Sequence, residues 1–582
     1  MNLNLNTKLI FRILSYTKQY KKLFFASVLL TIIIASFAII RPLLIKNVLN
    51  DAVGSNKNIN HLNFYCLLIL ISLLLDAAFQ ILNIRITSLI GQNIINNLRN
   101  QVYKHILKLK NAYFDNTPIG MLVTRCISDI ESLSDVFAQG FIVIAGDILM
   151  LIIFCSVMLN QNWALALLAF STIPFLFIAT ALFKRGVKKT FTMVRNAVSN
   201  LNTFTQEHIT GMSLVQIFNR QKAEYEKFKQ INNEHRVANI KSIFYYSVFF
   251  PVVDILAGCS IALVIWYAGF NANKHNINLG DLTFFIMMVN LMFRPIRMLA
   301  DRLNTLQMGF VSAERVFKIL DTNEIIEDTG KIKFTKMKDK ISFKNVSFSY
   351  TKNVEVLKNI NFEIKKGESV AFVGATGSGK STIINLLSRF YDINNGIIEI
   401  DNININKYTL TSLRQNTGVV LQDVQLFNDT VFNNITLNNP NISYNKVVEA
   451  TKEIGLYNYI LSLPNGFDYV VSERGISLSA GQKQLIAFIR AYVYNPELFI
   501  LDEATATIDS NTEELIKIAT AKIAHNRTSI IIAHRLSTIK NVDKIVVLDK
   551  GQIIETDTPF NLLNNKNSKF YSMYHLSNTI EV

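Results

Sequence analysis

The sequence predicts a multidomain membrane protein: a six-helix, all-α transmembrane domain followed by an α/β domain that carries a glycine-rich loop. Three observations lead there. The chain of 582 residues is 50% hydrophobic, and its long apolar runs lie in the first half. After Leu320 the composition changes, and short β-rich runs begin to alternate with helical ones. Between one such strand and the next helix stands GATGSGKS, Gly374 to Ser381.

A helix needs about 20 mostly apolar residues to cross a bilayer. Six runs meet that length, near 23–45, 62–83, 139–159, 163–183, 246–269 and 281–300. Nothing along them alternates with a polar face, which argues against the helices of a water-soluble core. The net charge of +16 could signal nucleic acid, anionic lipid or cytoplasmic loops, and its distribution decides. Lysine and arginine crowd the N-terminus, 85–125 and 184–241, whereas 46–61, 160–162 and 271–280 hold few. That alternation predicts a multi-pass membrane protein with both termini and the α/β domain cytoplasmic, and it calls for no nucleic acid; abundant Asn, Ile and Lys suggest an A+T-rich genome, which fits a bacterial inner membrane. The long connections 84–138 and 184–245 read as membrane helices extended into the cytoplasm. Cys66, Cys126, Cys155 and Cys259 lack CxxC spacing, so neither a disulfide framework nor a metal site is expected. The N-terminus lacks a short apolar region with a small-residue cleavage site, so no cleaved signal peptide is expected.

The stretch 321–340 is polar and reads as a linker between domains at 1–320 and 341–582. Beyond it, ISFKNVSFSY and SVAFVG are strands and STIINLLSRF is a helix. GATGSGKS fits G-x-x-x-x-G-K-[ST] in the strand–loop–helix setting which that motif requires. Its glycines let backbone N–H groups close around phosphate oxygens, and the helix N-terminus adds positive potential. The cradle comprises Gly374, Ala375, Thr376, Gly377, Ser378, Gly379, Lys380, Ser381 and Thr382, with Lys380 reaching the β/γ-phosphates and Ser381 a Mg²⁺. Downstream, LFILDEATATID (498–509) is an apolar strand ending in Asp502, a candidate Mg²⁺ partner through water. Glu503 follows, placed to polarise an attacking water.

With these motifs in order, the chain resembles an ATP-binding cassette exporter half-transporter over essentially its whole length. SLSAGQKQLIAFIRA (477–491) is similar to the family's signature segment, usually L-S-G-G-Q. Gln422 in VVLQDVQLF matches the Q-loop, a further Mg²⁺ contact, and His534 in IIAHRLST matches the switch histidine. Tyr350 in VSFSY matches the adenine-stacking aromatic and Asp509 the D-loop aspartate. AYFDNTPIGMLVTRCISDIESL (112–133) and ITGMSLVQIFNRQKAEYEKF (209–228) resemble the two cytoplasmic segments that dock on nucleotide domains. The ATATID wording is similar to a bacterial branch of multidrug-resistance-like proteins thought to pair as heterodimers.

The resemblance implies ATP and Mg²⁺ as ligands and a second half-transporter as partner, either a different chain or a second copy. Ser479, Gly481 and Gln482 would then face the γ-phosphate held by that partner. Two departures stand out: Ala480 replaces a usual glycine, and ATID replaces the commoner S-A-L-D. The implied activity is ATP-driven export of a lipophilic small molecule or drug from a lipid bilayer. Lipid flipping needs the same parts, and a non-transporting channel or regulator would be expected to show a degenerate strand-end acidic pair. Asp76, Asp147 and Asp254 fall inside predicted spans, where a charge costs roughly 2.5–3.5 kcal/mol. Counting about 1.5 Å per residue places them at a common depth with Arg294, and Arg297 a turn below. They form either an acidic cavity for cationic amphiphiles or internal pairs with Arg294 and Arg297.

Overall fold

The computed structural model describes residues 7–53, 59–136, 140, 142–271, 277–351, 354–502, 509–525, 527–533 and 542–580. They form two compact units: Met1–Leu107 with Ile119–Thr322, and Lys108–Pro118 with Asn323–Val582.

The first unit is helical. Its long helices are α1 (Lys21–Val53), α2 (Ile59–Ile106), α3 (Ile142–Gln161), α4 (Ile173–Thr210), α5 (Gln221–Asn271) and α6 (Leu279–Leu320). Each of the six predicted spans has a helix long and apolar enough to cross a membrane. The span near 163–183 contains a break: helix Trp163–Phe170 ends at Ser171, and α4 restarts ahead of Pro174, which has no N–H to give the preceding turn. Positions 139 and 141 of the span near 139–159 lie outside the described residues. Phe154, Phe284, Phe285 and Phe293 are fully buried in the core. Helices α4 and α5 pack through Phe183 stacked on Phe249, ring centroids 4.1 Å apart. Gly186 allows that approach, because a Cβ there would strike the ring of Tyr245. Below the spans, Asp129 is 6% exposed and ties two segments together. It accepts from Arg125 at 3.0 Å and from the Ser312 hydroxyl of α6 at 3.0 Å.

The charges in the spans are paired, though not as depth alone predicts. Asp254 meets Arg297 at 2.7 Å, a partner that the pairing alternative names. Asp76 instead pairs with Arg41 of α1 at 2.6 Å, and Asp147 with Arg302 of α6. Arg294 takes none of the three aspartates: it is exposed and has no ion pair among the described residues. A fourth pair joins Lys46 to Asp281 at 2.7 Å.

The second unit holds two sheets. In the first, β1 (Lys340–Phe348), β2 (Leu357–Lys365), β4 (Asn395–Ile400) and β5 (Ile403–Asn404) run antiparallel in the order β2-β1-β4-β5. The second contains β3 (Ser369–Val373), β6 (Thr417–Val420), β7 (Leu498–Asp502), β8 (Thr528–Ile532), β9 (Lys544–Asp549) and β10 (Gln552–Asp557), ordered β10-β9-β3-β8-β7-β6. Only β10 is antiparallel; the other five are parallel and nearly all apolar, as strands covered on both faces must be. Part of the stretch expected to be a linker belongs to this core. Phe334 and Met337 are 3% and 1% exposed, and the Phe334 amide donates to the Ser412 hydroxyl at 2.9 Å. Two apolar anchors thus hold a segment whose polar composition hid them.

The Arg41–Asp76 pair yields a test. Asp76 is 4% exposed, so its removal strands a guanidinium among helices. Asp76→Ala should cost about 3 kcal/mol, and adding Arg41→Leu should restore most of it. The midpoint of heat-induced loss of monodisperse protein in detergent measures this; an unchanged midpoint in the single variant would refute a structural role.

Candidate functional site

The C-terminal ends of four neighbouring parallel strands define the site. Phe372 of β3 is in register with Ile532 of β8, Asp502 of β7 with Ile532, and Val420 of β6 with Leu501. With about 4.8 Å per strand step, the row from β3 to β6 spans about 14 Å. Each end leads in sequence to one predicted site segment: β3 to the glycine-rich loop, β8 to His534, β7 to Glu503 and β6 to Gln422. Ligands of open α/β sheets sit outside this edge. Glu503 and His534 themselves lie outside the described residues, as do the neighbours 504–508 and 535–541. Gln422 is exposed in the loop that leaves β6, and Asp502 closes β7 at 7% exposure.

The loop 374–379 turns from β3 into α7 (Lys380–Leu387). Its glycines are required by shape. Gly377 and Gly379 have φ of 82° and 103°, which side chains rarely adopt. A Cβ on Gly374 would meet the Leu548 carbonyl and the Ser378 hydroxyl. Lys380 is 5% exposed and donates to the carbonyls of Gly374 at 2.7 Å and Ala375 at 3.0 Å. Burial pushes its ammonium below the usual lysine range, against the attraction of Asp502. Ser378 is 3% exposed, and its hydroxyl has no hydrogen-bond partner among the described residues. A buried cation and a buried hydroxyl at the start of a helix fit a polyphosphate. Ala375 and Thr376 form the exposed tip of the loop, Ser381 is exposed at the start of α7, and Thr382 is buried.

Tyr350 stands beside this loop, 43% exposed. Its hydroxyl donates to Thr382 at 3.2 Å and accepts from Asn385 at 3.1 Å. Phe348 and Tyr391 meet its ring edge-on, at centroid distances of 4.8 Å and 5.0 Å. An exposed ring held on two edges is a ready stacking platform.

Tyr391 was not legible as part of a site. Its hydroxyl donates to the carboxylate of Asp115, and the neighbouring Asp392 accepts from Lys110 at 2.8 Å. Burial and the Asp115 charge raise the Tyr391 phenol above its usual range. Lys110 also donates its backbone amide to Glu324 at 2.8 Å. Segment 108–118 is thereby fastened to the second unit, whereas 209–228 lies in the first.

The signature-like segment opens a different helix, α8 (Ala480–Val493). Ser479 caps it: its hydroxyl accepts from the Gln482 amide at 3.2 Å, while the Gln482 side chain accepts from the Ser479 amide at 3.0 Å. Ser479 and Ala480 are exposed at the helix N-terminus, and Gly481 is buried. No hydrogen bond or ion pair among the described residues joins 479–482 to 374–382. Asp509 caps helix α9 (Ser510–Ala524), and the Thr512 amide holds its carboxyl below the usual range.

Comparisons with known proteins agree with this architecture. Residues 24–296 match the family described as ABC transporter transmembrane region, and residues 357–506 that described as ABC transporter. An ATP-dependent lipid A-core flippase of Syntrophus aciditrophicus is 32% identical over 97% of this chain and 94% of its own. The putative multidrug export ATP-binding/permease protein YgaD of Bacillus subtilis is 31% identical over 97% and 99%. The structure of a bacterial Atm1-family ABC exporter with ATP bound superposes with a TM-score of 0.78 at 25% identity, covering 96% of this chain and 98% of that one. The chain therefore belongs to the ABC transporter family, as a multi-pass half-transporter that joins one transmembrane domain to one ATP-binding, ATP-hydrolysing domain.

Proposed function

We propose that this half-transporter works as half of a heterodimeric exporter of the cytoplasmic membrane, moving lipophilic small molecules out of the cell, with its nucleotide domain on the cytoplasmic side. The observation that carries the reading is the in-register edge of four parallel strands, with the phosphate cradle at one end and Asp502 near the other, in the same chain as six membrane helices. Lys380 leaves the carbonyls of Gly374 and Ala375 for the β/γ-phosphates, exchanging neutral acceptors for charged ones. Backbone amides of 375–382 and the Ser378 hydroxyl take the remaining phosphate oxygens, and Tyr350 stacks on the adenine. Glu503 accepts the proton of the attacking water, and His534 and Gln422 contact the γ-phosphate end of the row. Ser381, Gln422 and Asp502, all oxygen donors, would hold a Mg²⁺ that neutralises charge on the β- and γ-phosphates.

Ser479, Gly481 and Gln482 serve the nucleotide of the partner. Their helix N-terminus faces outward with its amides capped only by its own residues, which suits an anion delivered by another chain. Ala480 keeps its N–H and carries its methyl at an exposed position. Asp509, besides capping its helix, lies in the D-loop position between the two sites. A lipid flippase is the second reading, because the same parts would move a lipid.

Three measurements test the assignments. Glu503→Gln should lower ATPase turnover of the assembled dimer by about 100-fold or more while ATP binding persists; undiminished turnover would remove Glu503 from its role. Lys380→Ala should weaken ATP binding at least about 10-fold, read by displacement of a fluorescent nucleotide. Tyr391→Phe keeps the ring against Tyr350 and deletes the bond to Asp115. It should leave ATP affinity within about twofold and lower substrate moved per ATP hydrolysed in proteoliposomes; an unchanged ratio would confine Tyr391 to packing.

A further inference from the structure

The charges on the membrane helices specify the sign of the cargo, an inference that rests on the exporter reading. Asp76, Asp147, Asp254 and Asp281 are each matched by a cation: Arg41, Arg302, Arg297 and Lys46. None is left to attract a cationic amphiphile without first losing its partner. Arg294 is different. It lies 15 residues beyond Leu279, about 22 Å along α6. It is exposed, and no carboxylate or other group among the described residues bonds to it.

The helix is sharply two-sided here. Val289, Met292, Phe293 and Ile296 are buried in the core, while Asn290 and Arg294, one turn apart, are exposed on the other side. An unpaired guanidinium inside a span is costly, and such residues almost always face a bundle interior or a water-filled cavity rather than lipid. A planar guanidinium with its donors unused binds phosphate or carboxylate bidentately. We propose that Arg294 is the anion anchor of the translocation path and that the exported molecule is an amphiphile with a phosphate or carboxylate head group. The apolar surfaces of the surrounding spans take its tail.

The test uses the full chain in its native assembly, in nanodiscs of zwitterionic phosphatidylcholine. Three probes are titrated: dodecyl phosphate below its micellar concentration, dodecyltrimethylammonium, and methyl phosphate, which has the head group without the tail. ATPase stimulation and direct binding above empty nanodiscs are both read. Dodecyl phosphate should half-saturate at a concentration at least about 10-fold lower than either other probe. Arg294→Gln should raise that concentration about 10-fold or more, and Arg294→Lys, which keeps the charge, should recover most of the loss. Equal response to the cationic probe, equal response to methyl phosphate, or an Arg294→Gln variant that binds dodecyl phosphate as tightly as the unaltered assembly would each overturn the proposal. Should Arg294→Gln fail to assemble, the probe preference of the unaltered assembly still decides. Failure of the exporter reading has a separate signature, an unaltered assembly that hydrolyses no ATP, and the binding arm reads Arg294 without it.

Discussion

An ammonium group buried against neutral acceptors is costly, and the nucleotide domain is organised around one. Lys380, 5% exposed, has as its hydrogen-bond acceptors among the described residues two carbonyls of its own loop. That arrangement demands a backbone that can bend carbonyls back over a helix start, hence the positive φ of Gly377 and Gly379. It also demands a rigid floor, which the buried parallel strands supply. Because those strands are in register, fixing the lysine at the end of β3 fixes the positions from which Asp502 and Gln422 emerge. A polyphosphate would offer this ammonium charged acceptors in place of the neutral loop carbonyls.

The membrane unit solves the same problem in reverse. There a charge without a partner is excluded from lipid, so most are neutralised in pairs between helices. Asp76 and Arg41 join α2 to α1, Asp254 and Arg297 join α5 to α6, and Asp147 and Arg302 join α3 to α6. Such pairs add little net stability over apolar packing, but they penalise any register of the helices that separates them. The position where this rule is relaxed is therefore informative. A group kept charged, exposed and unmatched in a span is retained for something it will meet.

What the sequence could reveal follows from the range of the interactions involved. The six spans and the strand–loop–helix of the phosphate cradle depend on neighbours within a few residues, and they were legible. Ion-pair partners depend on how helices rotate against one another. Arg294 and Arg297 differ by three residues, hence by about 60° around the axis, and that angle separates a free guanidinium from one bound to Asp254. Counting depth could not resolve it, and it missed Arg41 and Arg302 altogether. Phe334 and Met337 were hidden for a related reason: two isolated apolar residues in a polar stretch carry no periodicity, yet each fills a gap at the rim of a core. The role of Tyr391 is a tertiary fact too, since its partner Asp115 lies 276 positions away.

That last contact connects the two ends of the chemistry. Tyr350 is the surface on which a base stacks, and its ring edge abuts Tyr391 at 5.0 Å. Tyr391 cannot shift without dragging the carboxylate of Asp115, because its hydroxyl has that acceptor and its ring is packed between Tyr350 and Phe348. Asp115 in turn sits in the short helix Asn111–Asn116, whose flank is pinned by Lys110 to Asp392 and to the Glu324 carbonyl. The helix is continuous in sequence with α2 a few residues upstream. A contact of this kind works as a linkage only if both of its joints are stiff. Edge-on aromatic packing resists sliding because it is directional, and a charge-assisted hydrogen bond resists stretching because its energy falls steeply with distance. On the exporter reading proposed above, replacing either joint with a looser one would leave the nucleotide site intact and weaken the tie between Tyr350 and the segment that carries Asp115.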